Sequence, residues 1–162
     1  MVDKRFVIRV YALVINESNH VLLSDEYVMN TYMTKFPGGG LEWGEGPADC
    51  LKREALEEFG QSIEIADHFY TTDFFQKAMF YEESQLLSIY YLAKFAEPIR
   101  FKISSRPFDF DKPVHGSQSF RWIGIRDLDP KELTFPVDRK VAQLLRAAKE
   151  PLSNHSRFFN AR

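Results

Sequence analysis

Residues 38–61 read Gly38-Gly39-Gly40-Leu41-Glu42-Trp43-Gly44-Glu45-Gly46-Pro47-Ala48-Asp49-Cys50-Leu51-Lys52-Arg53-Glu54-Ala55-Leu56-Glu57-Glu58-Phe59-Gly60-Gln61. Three glycines in a row ask the backbone for something side chains would obstruct, and from Pro47 onward the pattern turns helical. Pro47 suits a first helical position and Gly60 the left-handed residue just past a last one, so the spacing predicts a helix over Pro47–Phe59. At about 100 degrees per residue, Glu54, Glu57 and Glu58 stand at i, i+3 and i+4 on one face. Ala48, Leu51, Ala55 and Phe59 gather on another, which can pack against a sheet.

Three adjacent carboxylates repel one another and weaken a helix unless a cation lies among them. Oxygen donors favour a hard divalent ion, and Mg2+ or Mn2+ is the first choice because such ions are shared with substrate phosphates. Zinc is disfavoured: His20, His68, His115 and His155 show no paired ligand spacing. The bare backbone of Gly38, Gly39 and Gly40 lets carbonyls and amides approach a metal ion or a phosphate. Neither a Gly-x-x-x-x-Gly-Lys-Ser/Thr loop nor a Gly-x-Gly-x-x-Gly turn can be aligned on these glycines, and His115-Gly116-Ser117-Gln118-Ser119 is not a serine-hydrolase elbow.

Outward from this segment, Arg5 to Ile15 alternates as a strand, Asn16 to Asn19 forms a polar turn and Val21-Leu22-Leu23 resumes, predicting a hairpin. Asp25 to Thr34 reads as a polar loop. Ile63 to Phe75, Gln85 to Phe95, Phe120 to Ile123 and a shorter Ile99 to Ile103 read as strands, and Ser104 to Gln118 as a long irregular loop of the kind kept for function. Pro136 to Lys149 is a second amphipathic helix, and the tail from Pro151 is expected to be peripheral. This order of elements predicts an α/β (α+β) fold, a mixed sheet with helices on its two faces.

The 162 residues suit one domain, taken as 1–162. With 44% hydrophobic and 27% charged residues the composition is that of an ordinary globular chain. A net charge of −2 supplies no basic field for a polymeric nucleic acid. No run approaches the roughly 20 apolar residues of a membrane span. The amino terminus lacks a secretory pattern, and the single cysteine, Cys50, allows no internal disulfide, so a cytoplasmic setting is expected. The 15 Phe, 7 Tyr and 2 Trp point to an aromatic core, with a minority left to stack on a base.

Gly39, Glu45 and Arg53-Glu54-Ala55-x-Glu57-Glu58-x-Gly60 together resemble the Nudix box, G-x5-E-x7-R-E-U-x-E-E-x-G-U, with every fixed position filled and Gln61 in a slot that is usually apolar. Phe36-Pro37-Gly38 and Phe120 to Ile123 are also similar to this family, while Thr34 stands where relatives often carry Trp. The resemblance implies an α/β/α sandwich and hydrolysis of a phosphoanhydride bond, by metal-activated water, in a nucleoside diphosphate linked to another group. It implies that Glu57, Glu58 and the Gly38 carbonyl bind Mg2+ or Mn2+, and that Glu54 is a ligand or the general base. Arg53 would orient the glutamates, and Glu45 would ligate directly or through water. Gly39, Gly40, Arg106 and His115 are candidate substrate contacts, Arg106 for a distal phosphate, and His115 is also a candidate second general base in the loop after the sheet, where the family sometimes places one and no glutamate stands nearby in the sequence to do that work. The expected partner is a small phosphorylated molecule of nucleotide type, and a homodimer fits the resemblance. Gln76, Lys77 and Ala78, where subgroups carry a marker Pro or Tyr, support neither an ADP-ribose nor a dinucleoside polyphosphate assignment. The alternative is a catalytically silent Nudix-like module that senses a ligand or binds a partner, since fold alone does not guarantee activity.

Overall fold

The computed structural model describes residues 5–153. Seven strands and two helices follow in the order β1 (Arg5–Val14), β2 (His20–Val28), β3 (Thr31–Lys35), β4 (Gly38–Gly40), α1 (Pro47–Phe59), β5 (Ile63–Thr71), β6 (Ser84–Phe95), β7 (Ser117–Gly124) and α2 (Pro136–Ala147). The strands form a four-stranded mixed sheet, β4-β1-β6-β5, and a three-stranded antiparallel sheet, β3-β2-β7. Alternate residues divide both sheets between two cores. Tyr11, Leu13, Val21 and Leu23 pack with Val137, Val141 and Leu145 of α2, whereas Val10, Ala12, Val14 and Leu22 pack with Leu51, Ala55 and Phe59 of α1. The two sheets therefore share one middle layer with a helix on either side, the sandwich expected from the sequence.

β1 and β2 are not a hairpin. Only Ile15 bridges Val21 across the turn; beyond it β1 runs parallel to β6 while β2 joins β7 and β3. Both strands carry apolar residues on two faces, a pattern that suits the centre of a covered sheet and leaves pairing to the tertiary fold. The stretch 25–34, expected as a polar loop, is instead the β2–β3 hairpin. Met29 and Asn30, at φ 49° and 59°, make its two-residue turn with both central residues left-handed, and the Tyr27 and Tyr32 rings meet 4.8 Å apart across the pair. Its polar residues misled because several are buried with partners. Thr34 Oγ1 donates to Asp25 Oδ1 at 2.6 Å, and Arg121 Nε donates to Asp25 Oδ2 at 2.8 Å.

The segment 99–103 is not a strand. Phe101 from this segment stacks on Phe59, at 4.9 Å, within a cluster completed by Phe95 and Phe120, which accounts for part of the aromatic surplus. On α1, Cys50 is buried where Ala48 was expected; Ala48 is exposed in the first turn. Gln61 takes its apolar slot at no polar cost: its amide donates to Pro98 O at 3.0 Å and accepts from Arg100 N at 2.6 Å. Leu152 packs against the core on the α2 side and its N–H donates to Asn19 Oδ1, so the tail is docked as far as the description reaches. The rest of the tail, and Met1 to Lys4, lie outside the described residues. Among the described residues no helix is long and apolar enough to cross a membrane.

Candidate active site

The helix carrying the glutamates is set by its two ends. Pro47 opens it, Asp49 Oδ2 accepts from the Gly46 N–H at 3.1 Å, and Gly60 closes it at φ 64° with its N–H donating to Leu56 O. Burial of Leu51, Ala55 and Phe59 then turns Arg53, Glu54, Glu57 and Glu58 toward the rim where β4 meets α1.

Arg53 organises this rim. Its Nε and Nη2 grip both oxygens of Glu45, at 3.0 and 2.6 Å, Nη2 also donates to Gly40 O at 2.9 Å, and Nη1 reaches Glu54 at 3.1 Å and Glu57 at 3.4 Å. The Arg53 hydrogen bonds hold the Glu45 carboxyl at about 2, and the guanidinium's own proton affinity rises in return. Glu54 lies against Gly39, where a Cβ would stand 1.8 Å from its Oε1. That glycine is required by contact and not by its dihedral.

Glu58 turns inward. Burial pushes its carboxyl up to about 7, against the pull of the Lys35 ammonium and a hydrogen bond from Gln118 Nε2 at 3.2 Å. The same Gln118 nitrogen donates to Ser24 Oγ and Glu26 Oε1, each at 2.9 Å, and Lys35 Nζ lies 2.9 Å from Glu26 Oε1. Burial works to lower Lys35, but Glu26 and Glu58 more than offset it and keep the amine charged; Lys35 in turn outweighs burial at Glu26 and holds that carboxyl below its ordinary value. Lys35 Nζ also donates to the Gly38 carbonyl at 3.3 Å.

The sequence-predicted residues thus divide. Arg53, Glu45, Glu54, Glu57 and Gly40 form one connected group, with Gly39 in contact; Glu58 belongs to a second network with Lys35, which reaches Gly38. Glu57 is the most exposed glutamate of the helical set, at 58%. Arg106 is not brought to the site: it is exposed and paired with Asp109, whose carboxyl is held at about 2 by hydrogen bonds from Lys102 and Arg106. His115 lies at the edge of a cavity of about 350 Å3, its Nδ1 accepting from Met29 N at 3.2 Å, and Glu26 lines the same cavity. A glutamate does therefore stand near His115, across the fold and not along the chain. Cys50 is buried and its thiol pushed up to about 12 by burial, consistent with packing.

Glu26, Lys35 and Gln118 were missed from sequence. Tyr27 and Tyr32 flanking Met29-Asn30 were the available signal, since a hairpin there sends Glu26 and Lys35 to the same side of β2–β3.

Among the described residues, the side chains as they stand do not gather three His, Cys, Asp or Glu into a metal-ligating group. The donor chemistry nevertheless fits a hard divalent cation. Glu54, Glu57 and Glu58 and the Gly38 carbonyl are all oxygen donors, the kind such an ion takes.

The family profile described as NUDIX domain matches residues 5–145. The chain belongs to the NUDIX family. Its family is that of the Nudix hydrolases, and solved structures agree on the Nudix fold. The Escherichia coli ORF135 protein is similar at 16% identity over 90% of this chain and 94% of that one, with a TM-score of 0.67. The MutT protein of Methanosarcina mazei Go1 is similar at 19% identity over 90% and 96%, with a TM-score of 0.65. An ADP-ribose pyrophosphatase from Streptococcus suis is similar at 16% identity over 86% of each chain, with a TM-score of 0.54. No curated protein matches the Nudix chain.

Proposed function

We propose that this Nudix hydrolase cleaves the phosphoanhydride bond of a nucleoside diphosphate linked to another group, with Mg2+ or Mn2+ as cofactor. The observation that supports it is the arrangement of Glu54 against Gly39, with Arg53 gripping Glu45 and Glu54. Glu54, Glu57, Glu58 and the Gly38 carbonyl would hold the cation. When bound, such an ion lowers the pKa of water and neutralises charge on the phosphates. Arg53 positions the glutamates, acting through them and not on the substrate. Glu54 or Glu58 takes the proton from the attacking water, and Gln118 Nε2 holds the Glu58 carboxyl by a hydrogen bond at 3.2 Å. Because His115 uses Nδ1 to accept from the backbone, its neutral form carries the proton on Nε2 and offers a donor to a ligand.

The test is a panel of nucleoside triphosphates, sugar nucleotides and other diphosphates, incubated with Mg2+ and, as control, with chelator. We expect turnover that chelator abolishes and that Glu58→Gln lowers by about 10²–10⁴-fold. No turnover of any compound by the wild type overturns the enzymatic reading, and full turnover by Glu58→Gln overturns the site assignment.

A further inference from the structure

Two cations stand among the glutamates, and they are held differently. Arg53 grips Glu45, Glu54 and Glu57 from the partly open side of the rim. Lys35, the last residue of β3, has a side chain only 4% exposed, so its ammonium depends on protein oxygens in place of water. Its Nζ lies 2.9 Å from Glu26 Oε1 and donates to the Gly38 carbonyl at 3.3 Å. Its charge also bears on Glu58, which Gln118 Nε2 ties to Glu26 by donating to both carboxylates. Two of these oxygen groups, the Gly38 carbonyl and Glu58, are ones assigned above to a divalent cation.

The carbonyl cannot serve both cations by turning. Gly38 pairs with Tyr11 across β4 and β1, and its α-carbon sits against the Val10 carbonyl, so the peptide there is fixed by backbone. Lys35 can move, because its ammonium rides on a flexible four-carbon stem. Glu26 is a firm place for it to stay: Ser24 Oγ and Gln118 Nε2 donate to the same Oε1 at 2.8 and 2.9 Å. An ammonium and a divalent ion sharing one carbonyl in so enclosed a place would repel strongly.

We propose that Lys35 is a resident competitor for the metal site, holding the Gly38 carbonyl and screening Glu58 in the empty enzyme and withdrawing onto Glu26 alone when a divalent cation enters. Metal affinity in the absence of substrate is then set by a side chain of the chain's own, and set low. The inference rests on the hydrolase reading and adds what controls entry of its cation.

The test uses full-length protein without nucleotide, with free Mn2+ measured by its electron paramagnetic resonance signal. Lys35→Met is expected to bind Mn2+ about 10-fold or more tightly than wild type. The double variant Lys35→Met/Glu26→Gln keeps the net charge of the wild type and leaves no Glu26 carboxylate unpaired. It should still bind at least about fivefold more tightly, because the Gly38 carbonyl has been freed. A double variant that binds Mn2+ no better than wild type overturns the proposal, since only the long-range field would then matter. In wild type carrying 15N-lysine, Mg2+ should shift the Lys35 Nζ signal with the midpoint of ion binding, the signal being assigned by its loss in Lys35→Met. An unmoved Lys35 signal in protein that has bound Mg2+ overturns the proposal without recourse to affinity. If these outcomes fail while chelator still abolishes turnover, the hydrolase reading stands and the competitor falls. If no variant and no wild type binds either ion, both fall.

Discussion

A methyl group on Gly39 would stand 1.8 Å from Oε1 of Glu54, while one on Gly38 would stand 2.1 Å from the backbone oxygen of Val10. The two neighbouring glycines are thus held for different reasons. Gly39 makes room for the far end of a side chain that can swing away. Gly38, at φ 143°, meets backbone that cannot, in a conformation L side chains rarely adopt. Gly39→Ala is therefore expected to keep the fold but displace Glu54, lowering kcat by about 10²-fold or more. Gly38→Ala should cost about 2–5 kcal/mol of stability. Thermal melts and steady-state rates on the two variants separate these outcomes; equal loss of stability in both would refute the distinction.

Arg53 and Glu45 make a two-pronged ion pair, and the Glu45 carboxyl is held at about 2. A carboxyl depressed in this way contributes stability that is present above its unfolded value and lost as pH falls through about 2. No change from this pair is expected between pH 7 and 5. In Arg53→Gln the Glu45 titration should return toward the usual carboxylate range, and the orientation of Glu54 should be lost with it. Carboxyl-detected NMR titration follows the first and kcat the second.

Asp138, at the start of α2, is buried, accepts from Tyr90 Oη at 2.6 Å through Oδ1 and has no partner for Oδ2. Burial pushes its carboxyl up to about 7, while the Tyr90 hydrogen bond and the charges of Lys35 and Arg9 pull the other way; Tyr11 also faces it. An acid raised on folding binds its proton more tightly in the native state, so its stabilising contribution is whole below about 3.8 and lost as pH rises through about 7. The difference amounts to about 4 kcal/mol at most. Asp138→Asn keeps an acceptor for Tyr90 and cannot ionise. Its Tm relative to wild type should therefore rise between pH 5 and pH 8, and a constant gap across that range would show that Asp138 does not titrate there.

Asp25 is fully buried between Thr34 Oγ1 and Arg121 Nε, and Arg121 Nη2 continues to Glu132 at 3.2 Å. Asp25→Ala strands a largely buried guanidinium in the middle of β3-β2-β7. A loss of about 3–5 kcal/mol is expected by chemical denaturation. Replacing Asp25 and Arg121 together with apolar residues should recover part of it.

Much of this protein was written locally. The α1 helix, its ends at Pro47 and Gly60, and the shared face of Glu54, Glu57 and Glu58 come from residue spacing and backbone preference within one short segment. β1 and β2 were legible as strands, whereas the cover on both of their faces appeared only in the fold. What local pattern could not convey was partnership across the chain. Asp25, Thr34 and Arg121 look like surface residues until the fold buries them together, because a polar group is stable inside only when distant residues complete its hydrogen bonds. Glu26 and Lys35 became part of the site only when the hairpin set them beside Glu58 and Gln118. Arg106, plausible as a phosphate ligand along the chain, was claimed by Asp109. Arg9 stands out only in three dimensions, where the Tyr11 hydroxyl accepts from its Nε.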